Sequence, residues 1–219
     1  MFRMIRLALL IVIISNSLVM AKKEPTAVYQ NKILTDSAFG YSLDIGENWK
    51  VKTFKEPNLE RAFLQKKNYS VNPMVKTYGG DYTIPTIVIY AQGYDGTLDD
   101  FELILKMSLE EHKSDNEIIT KLGLLTDGEF VTSGDVVIDS INVSQLILKR
   151  NYSRLLASDA LMGKSTTAKM SEQYINDHEV HEVYLIKKTG KIIVIQAYCE
   201  REFYQENMGE FHNLVLSLR

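Results

Sequence analysis

Val180-His181-Glu182-Val183-Tyr184-Leu185-Ile186-Lys187 and Lys191-Ile192-Ile193-Val194-Ile195-Gln196-Ala197-Tyr198-Cys199, joined by Lys188-Thr189-Gly190, decide how this chain folds. Two apolar-rich runs around a glycine-bearing turn predict an antiparallel hairpin. Strand side chains alternate between faces, so Ile193, Ile195, Ala197 and Cys199 share one. Cys199 is the only cysteine, which leaves no internal disulfide. Its readings are a reactive thiol, an intermolecular bridge or a small buried residue. Its place at the end of an apolar row favours burial. An amphipathic helix follows over Phe203–Leu218, with Phe203, Phe211, Leu214 and Leu218 in one stripe.

Working back from the hairpin, Ser153–Asp177 is rich in Ser, Thr, Ala and Lys. It reads as an excursion from the sheet with a short helical turn near Leu155–Met162. Glu117–Tyr152 carries Ile118-Ile119, Phe130-Val131, Val136-Val137-Ile138 and Val143–Leu148, broken by turn residues. It predicts a meander of short antiparallel strands. Thr97–Lys113 predicts a helix. Leu98, Phe101, Leu105 and Leu109 share a face with Ile104 beside them, and Thr97 with Asp100 forms a capping box in which Asp replaces Glu. Pro85–Gln92 holds the buried-strand run Ile87-Val88-Ile89-Tyr90, and Ala62-Phe63-Leu64 a short strand. Gly40–Ile45 and Trp49–Phe54 alternate apolar and polar around Gly46-Glu47-Asn48, which predicts a further hairpin. Two amphipathic helices each need an apolar surface to cover. The predicted class is α+β, one antiparallel sheet flanked by helices on both faces, an α/β/α sandwich.

Residues 1–21 have the layout of a secretory signal peptide. Arg3 and Arg6 precede the apolar run Leu7–Ile14, then Ser15-Asn16-Ser17, with a cut expected after Ala21. Eight apolar residues are short for a bilayer span, which needs about 20. The expectation is a cleaved signal, export to the periplasm or beyond, and no stable span afterwards. An uncleaved segment would tether the chain to the membrane. Residues 22–36 read as a polar lead-in and 37–219 as one domain with long loops at 66–82 and 153–177. Loss of Arg3 and Arg6 takes the formal charge from −3 to −5. Such a surface argues against nucleic acid, which needs a concentrated basic face.

Three places resemble the PsbP-like family, which includes PsbP and the DcrB-like exported proteins. Phe39-Gly40-Tyr41-Ser42-Leu43-Asp44-Ile45 with Glu47-Asn48-Trp49 is similar to that family's opening hairpin, with Gly46 where a Pro is usual. Thr86–Tyr90 followed by Gly96-Thr97-Leu98-Asp99-Asp100-Phe101 is similar to its strand-to-helix step. The Val183–Cys199 hairpin leading to Leu214-Val215-Leu216-Ser217-Leu218 is similar to its closing helix. The resemblance covers roughly residues 37–219. It implies an α/β/α sandwich and a non-enzymatic binding or assembly-supporting role, with no cofactor. It also brings in a Ran-type GTPase partner, against which the export signal argues.

His178-Glu179-Val180-His181-Glu182 is the one cluster with metal-ligand residue types. Its spacing does not match the helical His-x-x-x-His motif, and on a strand His178 and His181 fall on opposite faces. The default is the polar start of a strand. The alternative is an envelope hydrolase or metal-dependent enzyme using the His178/His181 region. His112 is expected half-buried beside the first helix, and His212 at the surface. No Gly-x-Ser-x-Gly and no phosphate-binding loop occurs. Tyr69, Tyr78 and Tyr82 punctuate the 66–82 loop. Tyrosine combines contact area with a polar handle and is enriched at interfaces. These three are the candidate partner-binding residues, set against ordinary anchoring of the loop. The expected partner is a protein or another envelope component, and the oligomeric state is not legible.

Overall fold

The computed structural model describes residues 27–55, 57–69, 83–138, 140–156 and 173–219. Ten strands and three helices are described. They are β1 (Ala27–Gln30), β2 (Ile33–Asp36), β3 (Tyr41–Asp44), β4 (Trp49–Thr53), β5 (Glu60–Lys66), β6 (Thr86–Gly93), α1 (Leu98–Glu111), α2 (Glu117–Lys121), β7 (Gly128–Ile138), β8 (Ile141–Leu156), β9 (Gln173–Lys188), β10 (Lys191–Glu200) and α3 (Arg201–Leu216). They form two antiparallel sheets rather than one. A three-stranded sheet has the order β1-β2-β3, and a seven-stranded sheet the order β4-β5-β6-β10-β9-β8-β7.

The Val180–Cys199 hairpin forms as read, with Lys188 opposite Lys191 and Gly190 at φ +65°. β9 starts earlier, at Gln173, and pairs with β8 as far as Leu156 opposite Gln173. The outer parts of the expected Ser153–Asp177 excursion are therefore strand. Of the helical turn expected over 155–162, residues 155–156 are strand, and 157–162 lie outside the described residues. The expected meander is likewise two long strands. β7 runs through Ser133-Gly134, with a bulge where Phe130 faces Leu148 and Thr132 faces Ile147.

The hairpin expected between Gly40–Ile45 and Trp49–Phe54 does not form. One edge of β3 pairs with β2, and the other bonds Arg219 through Ser42 N to Arg219 O and Arg219 N to Ser42 O, both 3.1 Å. With both edges used, β4 pairs with β5 instead. Residues 27–36, read as part of a loose lead-in, are the β1–β2 hairpin. Its turn is Asn31-Lys32 at φ +52° and +68°, the paired positive φ of a two-residue hairpin turn. Ile118-Ile119, read as strand, lies in α2. Asn116 Oδ1 accepts from the amides of Ile118 and Ile119 at 3.0 and 3.3 Å, and this cap outweighs the β preference of the isoleucines.

α1 keeps its expected capping box, with Thr97 Oγ1 accepting from Asp100 N and Asp100 Oδ2 from Thr97 N. Alternation along the central strands divides two apolar cores. Ile193, Ile195, Ala197 and Cys199 of β10 pack with Phe211, Leu214 and Val215 of α3 and with Leu34 and Leu43 of the small sheet. Ile192 and Val194 pack with Phe101, Leu105 and Leu109 of α1 and with Ile118 and Ile119 of α2. Cys199 is fully buried, as expected. Among the described residues, no helix is long and apolar enough to cross a membrane.

Candidate functional site

The polar residues of β9 build two enclosed clusters. His181 and Glu179 are two apart and meet: His181 Nε2 lies 3.2 Å from Glu179 Oε2. Gln196, on β10, has its amide nitrogen 2.9 Å from the Leu122 carbonyl and 3.0 Å from His181 Nδ1. Since an amide NH2 has two protons to give, Nδ1 accepts and Nε2–H donates to Glu179. This assignment makes His181 a neutral imidazole with both nitrogens used. Its ring stacks on Tyr198, centroids 4.9 Å apart. Burial pushes the His181 pKa below its usual 6.5, and the Glu179 bond only partly opposes that. Burial acts to raise Glu179, but the bonds from His181 and Thr83 and the charge of Arg150, 3.6 Å away, prevail and hold its carboxyl below the usual range.

Glu182 has the opposite strand parity and forms the second cluster. Its carboxylate accepts from the Tyr184 hydroxyl, from the Tyr204 hydroxyl of α3 at 2.6 Å and from the Gln145 amide of β8 at 3.4 Å. Gln145 also donates to the Tyr184 oxygen at 3.2 Å. Both tyrosines are pushed up, first by burial and then by Glu182, through its charge and its hydrogen bond. Cys199 is pushed up to about 12 by burial and by neighbouring carboxylates, so the thiol is held protonated and unreactive. The sequence marks this cluster only faintly, by two polar residues spaced two apart in an otherwise apolar run.

His178 and His181 lie three positions apart on β9, opposite Asn151 and Leu148 respectively. Among the described residues, no group of three or more His, Cys, Asp or Glu is placed to hold a metal ion. His112 is exposed, not half-buried. It sits at φ +54° at the C-cap of α1 with Nδ1 2.8 Å from the Leu125 carbonyl. Tyr69 is partly buried, edge-on to Phe203 of α3 with centroids 5.4 Å apart. Tyr78 and Tyr82 lie outside the described residues.

Two further features went unread in the sequence. Asp36 and Arg61 form a buried ion pair, Nε to Oδ2 2.8 Å, that ties β2 of the small sheet to β5 of the large one. Phe39 covers the guanidinium at 4.8 Å, and Asp36 Oδ1 accepts from the amides of Ala38 and Phe39. A cleft of about 280 Å³ opens between residues 44–49 and α3, with Ile45, Trp49 and Leu214 among its lining residues. Two carboxylates at this cleft are already engaged, Glu47 by Lys32 and Glu210 by Lys66.

No family model and no curated protein matches this chain. Solved structures do. Cyanobacterial PsbP (CyanoP) from Synechocystis sp. PCC 6803 is similar at 10% identity and a TM-score of 0.49, over 88% of this chain and 93% of that one. LpqN, involved in cell envelope biogenesis of Mycobacterium tuberculosis, is similar at 10% identity and a TM-score of 0.43, over 89% of each chain. PA94, a protein of unknown function from Pseudomonas aeruginosa, is similar at 8% identity and 0.43, over 88% of this chain and 94% of that one. PsbP, whose family this sequence resembles at its opening segment, its strand-to-helix step and its closing helix, is thus also among the solved structures similar to it.

Proposed function

We propose that this chain is an exported, non-enzymatic binding or assembly-supporting protein of the cell envelope, acting on a protein or another envelope component. The layout of residues 1–21, with its expected cut after Ala21, supports the location. The non-enzymatic reading rests on the closure of the two polar clusters. Both nitrogens of His181 are engaged inside the core, and the Glu182 carboxylate is enclosed by three neutral donors. A general base must reach the proton it removes; these groups hold strands and a helix together instead. The alternation of β10 between the two cores supports an α/β/α arrangement, with α3 on one face of the large sheet and α1 and α2 on the other. Binding is assigned to the segments read from the sequence as loops, 66–82 with Tyr69, Tyr78 and Tyr82, and the part of 153–177 that lies between β8 and β9.

The test is capture of partners from the chain's own cell envelope by the mature protein, beside variants lacking 70–82 or 157–172 and the Tyr69→Ala variant. A partner retained by the intact protein and lost with one deletion is the expected result. Retention by both deletions sinks the loop assignment. Stoichiometric zinc in the purified protein would overturn the non-enzymatic reading. The intact mass of the protein recovered from cells shows whether it begins at Lys22.

A further inference from the structure

The outer face of α1 carries three large apolar residues within five positions. Leu103, Ile104 and Met107 are 57%, 39% and 47% exposed, while Phe101, Leu105 and Leu109 fill the core beneath. Apolar residues scattered singly over a surface are ordinary. Three on one helix face form a stripe of the kind that marks contact sites. Carboxylates bracket it, with Asp99 and Asp100 in the first turn and Glu110 and Glu111 in the last, where no basic residue stands. Acids in a last turn oppose the helix dipole, so Glu110 and Glu111 do not serve the stability of α1. The helix's own cation is turned away: Lys106 pairs with Glu102 at 2.7 Å and lies over Phe130 of β7 at 4.4 Å.

We propose that this face docks an amphipathic helix of a partner protein, with apolar residues that meet Leu103, Ile104 and Met107 and Lys or Arg that meet the bracketing acids. Charge chooses this occupant. A second copy packed antiparallel across a two-fold axis would set Asp99 and Asp100 against the partner's Glu110 and Glu111. Packed parallel, each acid would face itself. An anionic lipid surface would repel the same four carboxylates. A basic amphipathic helix satisfies both the stripe and its rim, in the helix-in-groove manner of peptide recognition.

The experiment uses the full mature chain and a synthetic helical peptide with leucines at three- and four-residue spacing and lysines elsewhere. A peptide with glutamates in place of the lysines is the control. Binding is followed by fluorescence anisotropy and located by hydrogen exchange. The proposal expects saturable binding of the lysine peptide, protection within 98–111, and weakening on the order of tenfold in both Leu103→Ser/Met107→Ser and Glu110→Lys/Glu111→Lys. Met208→Ser, which removes an exposed apolar residue of α3, should bind like the parent. Equal binding of the glutamate peptide, protection elsewhere or undiminished binding by both double variants overturns it. So does a dimer, or flotation with phosphatidylglycerol vesicles, that Leu103→Ser/Met107→Ser abolishes. The proposal uses residues of α1 alone: deleting 70–82 or 157–172 should leave peptide binding intact, so the two readings fail separately.

Discussion

His181 and Glu182 are neighbours in sequence, yet they join separate networks, one to β10 and the end of α2, the other to β8 and α3. Their burial makes this region sensitive to acid. The His181 pKa is lower in the fold than its usual 6.5, so the unfolded chain takes up the proton first. The stability this gives is complete above about 6.5 and is lost as pH falls through the lower folded value. Glu179 is also lowered, from 4.5, and its contribution is lost at still lower pH. The melting temperature should therefore be level from pH 8 to 7, fall below about 6.5 and fall again below about 4.5. His181→Gln should remove the first decline and keep the second; a first decline that survives would assign it to another group. Asp36 and Arg61 are 0% and 2% exposed. Removing one charge strands the other, so Asp36→Ala should cost about 3–5 kcal/mol, whereas replacing both residues with apolar ones should cost less. Urea titration followed by the fluorescence of Trp49, the only tryptophan and a buried one, measures both.

The elements legible in the sequence were those whose period and caps agree. α1 combines a helical apolar stripe with a capping box, and the β9–β10 hairpin combines alternation with a glycine turn. Where the two signals conflict, the local rule failed. Ile118-Ile119-Thr120 has strand composition, yet it lies in a helix that the Asn116 side chain caps and the core packs. Asn31-Lys32 lacks the glycine that advertises a tight hairpin, so β1 and β2 were hidden. The partner of β3 was not legible at all, because the backbone of Arg219, far along the chain, occupies the edge that β4 would need. The candidate tyrosines were found by composition, and the contact that Tyr69 makes with Phe203 depends on a helix over a hundred residues away. The caps can be tested directly. Thr97→Ala should cost about 1 kcal/mol. Asn116→Ala should cost a similar amount and also lower hydrogen-exchange protection over 117–121, the short helix that has little else to start it. Equal protection in parent and variant would show that packing of Ile118 and Ile119 alone holds α2.

Residues 217–219 act on the molecule as a whole. Ser217 Oγ accepts from Asp44 N at 2.9 Å, Leu218 is fully buried, and Arg219 completes the edge of β3. Their removal should cost at least the roughly 1.5–3 kcal/mol of burying a leucine, and chemical denaturation should show it as a lower midpoint. A midpoint unchanged within error would mean that the remaining ties of the small sheet, among them Asp36–Arg61, its apolar face and the Lys191 bond to the Ala38 carbonyl, suffice to hold it. The order β4-β5-β6-β10-β9-β8-β7 has a kinetic consequence as well. Its middle strand is the one made last. Until β10 is available, β4, β5 and β6 form one ribbon and β7, β8 and β9 another, with no hydrogen bonds between them. A ribosome that has not yet reached residue 191 carries two half-sheets with open inner edges, each a template for mispairing. Pairing β10 with β6 joins residues about a hundred positions apart, the kind of non-local contact that slows folding, so the strand whose reading decides the fold is also the one that completes it in time.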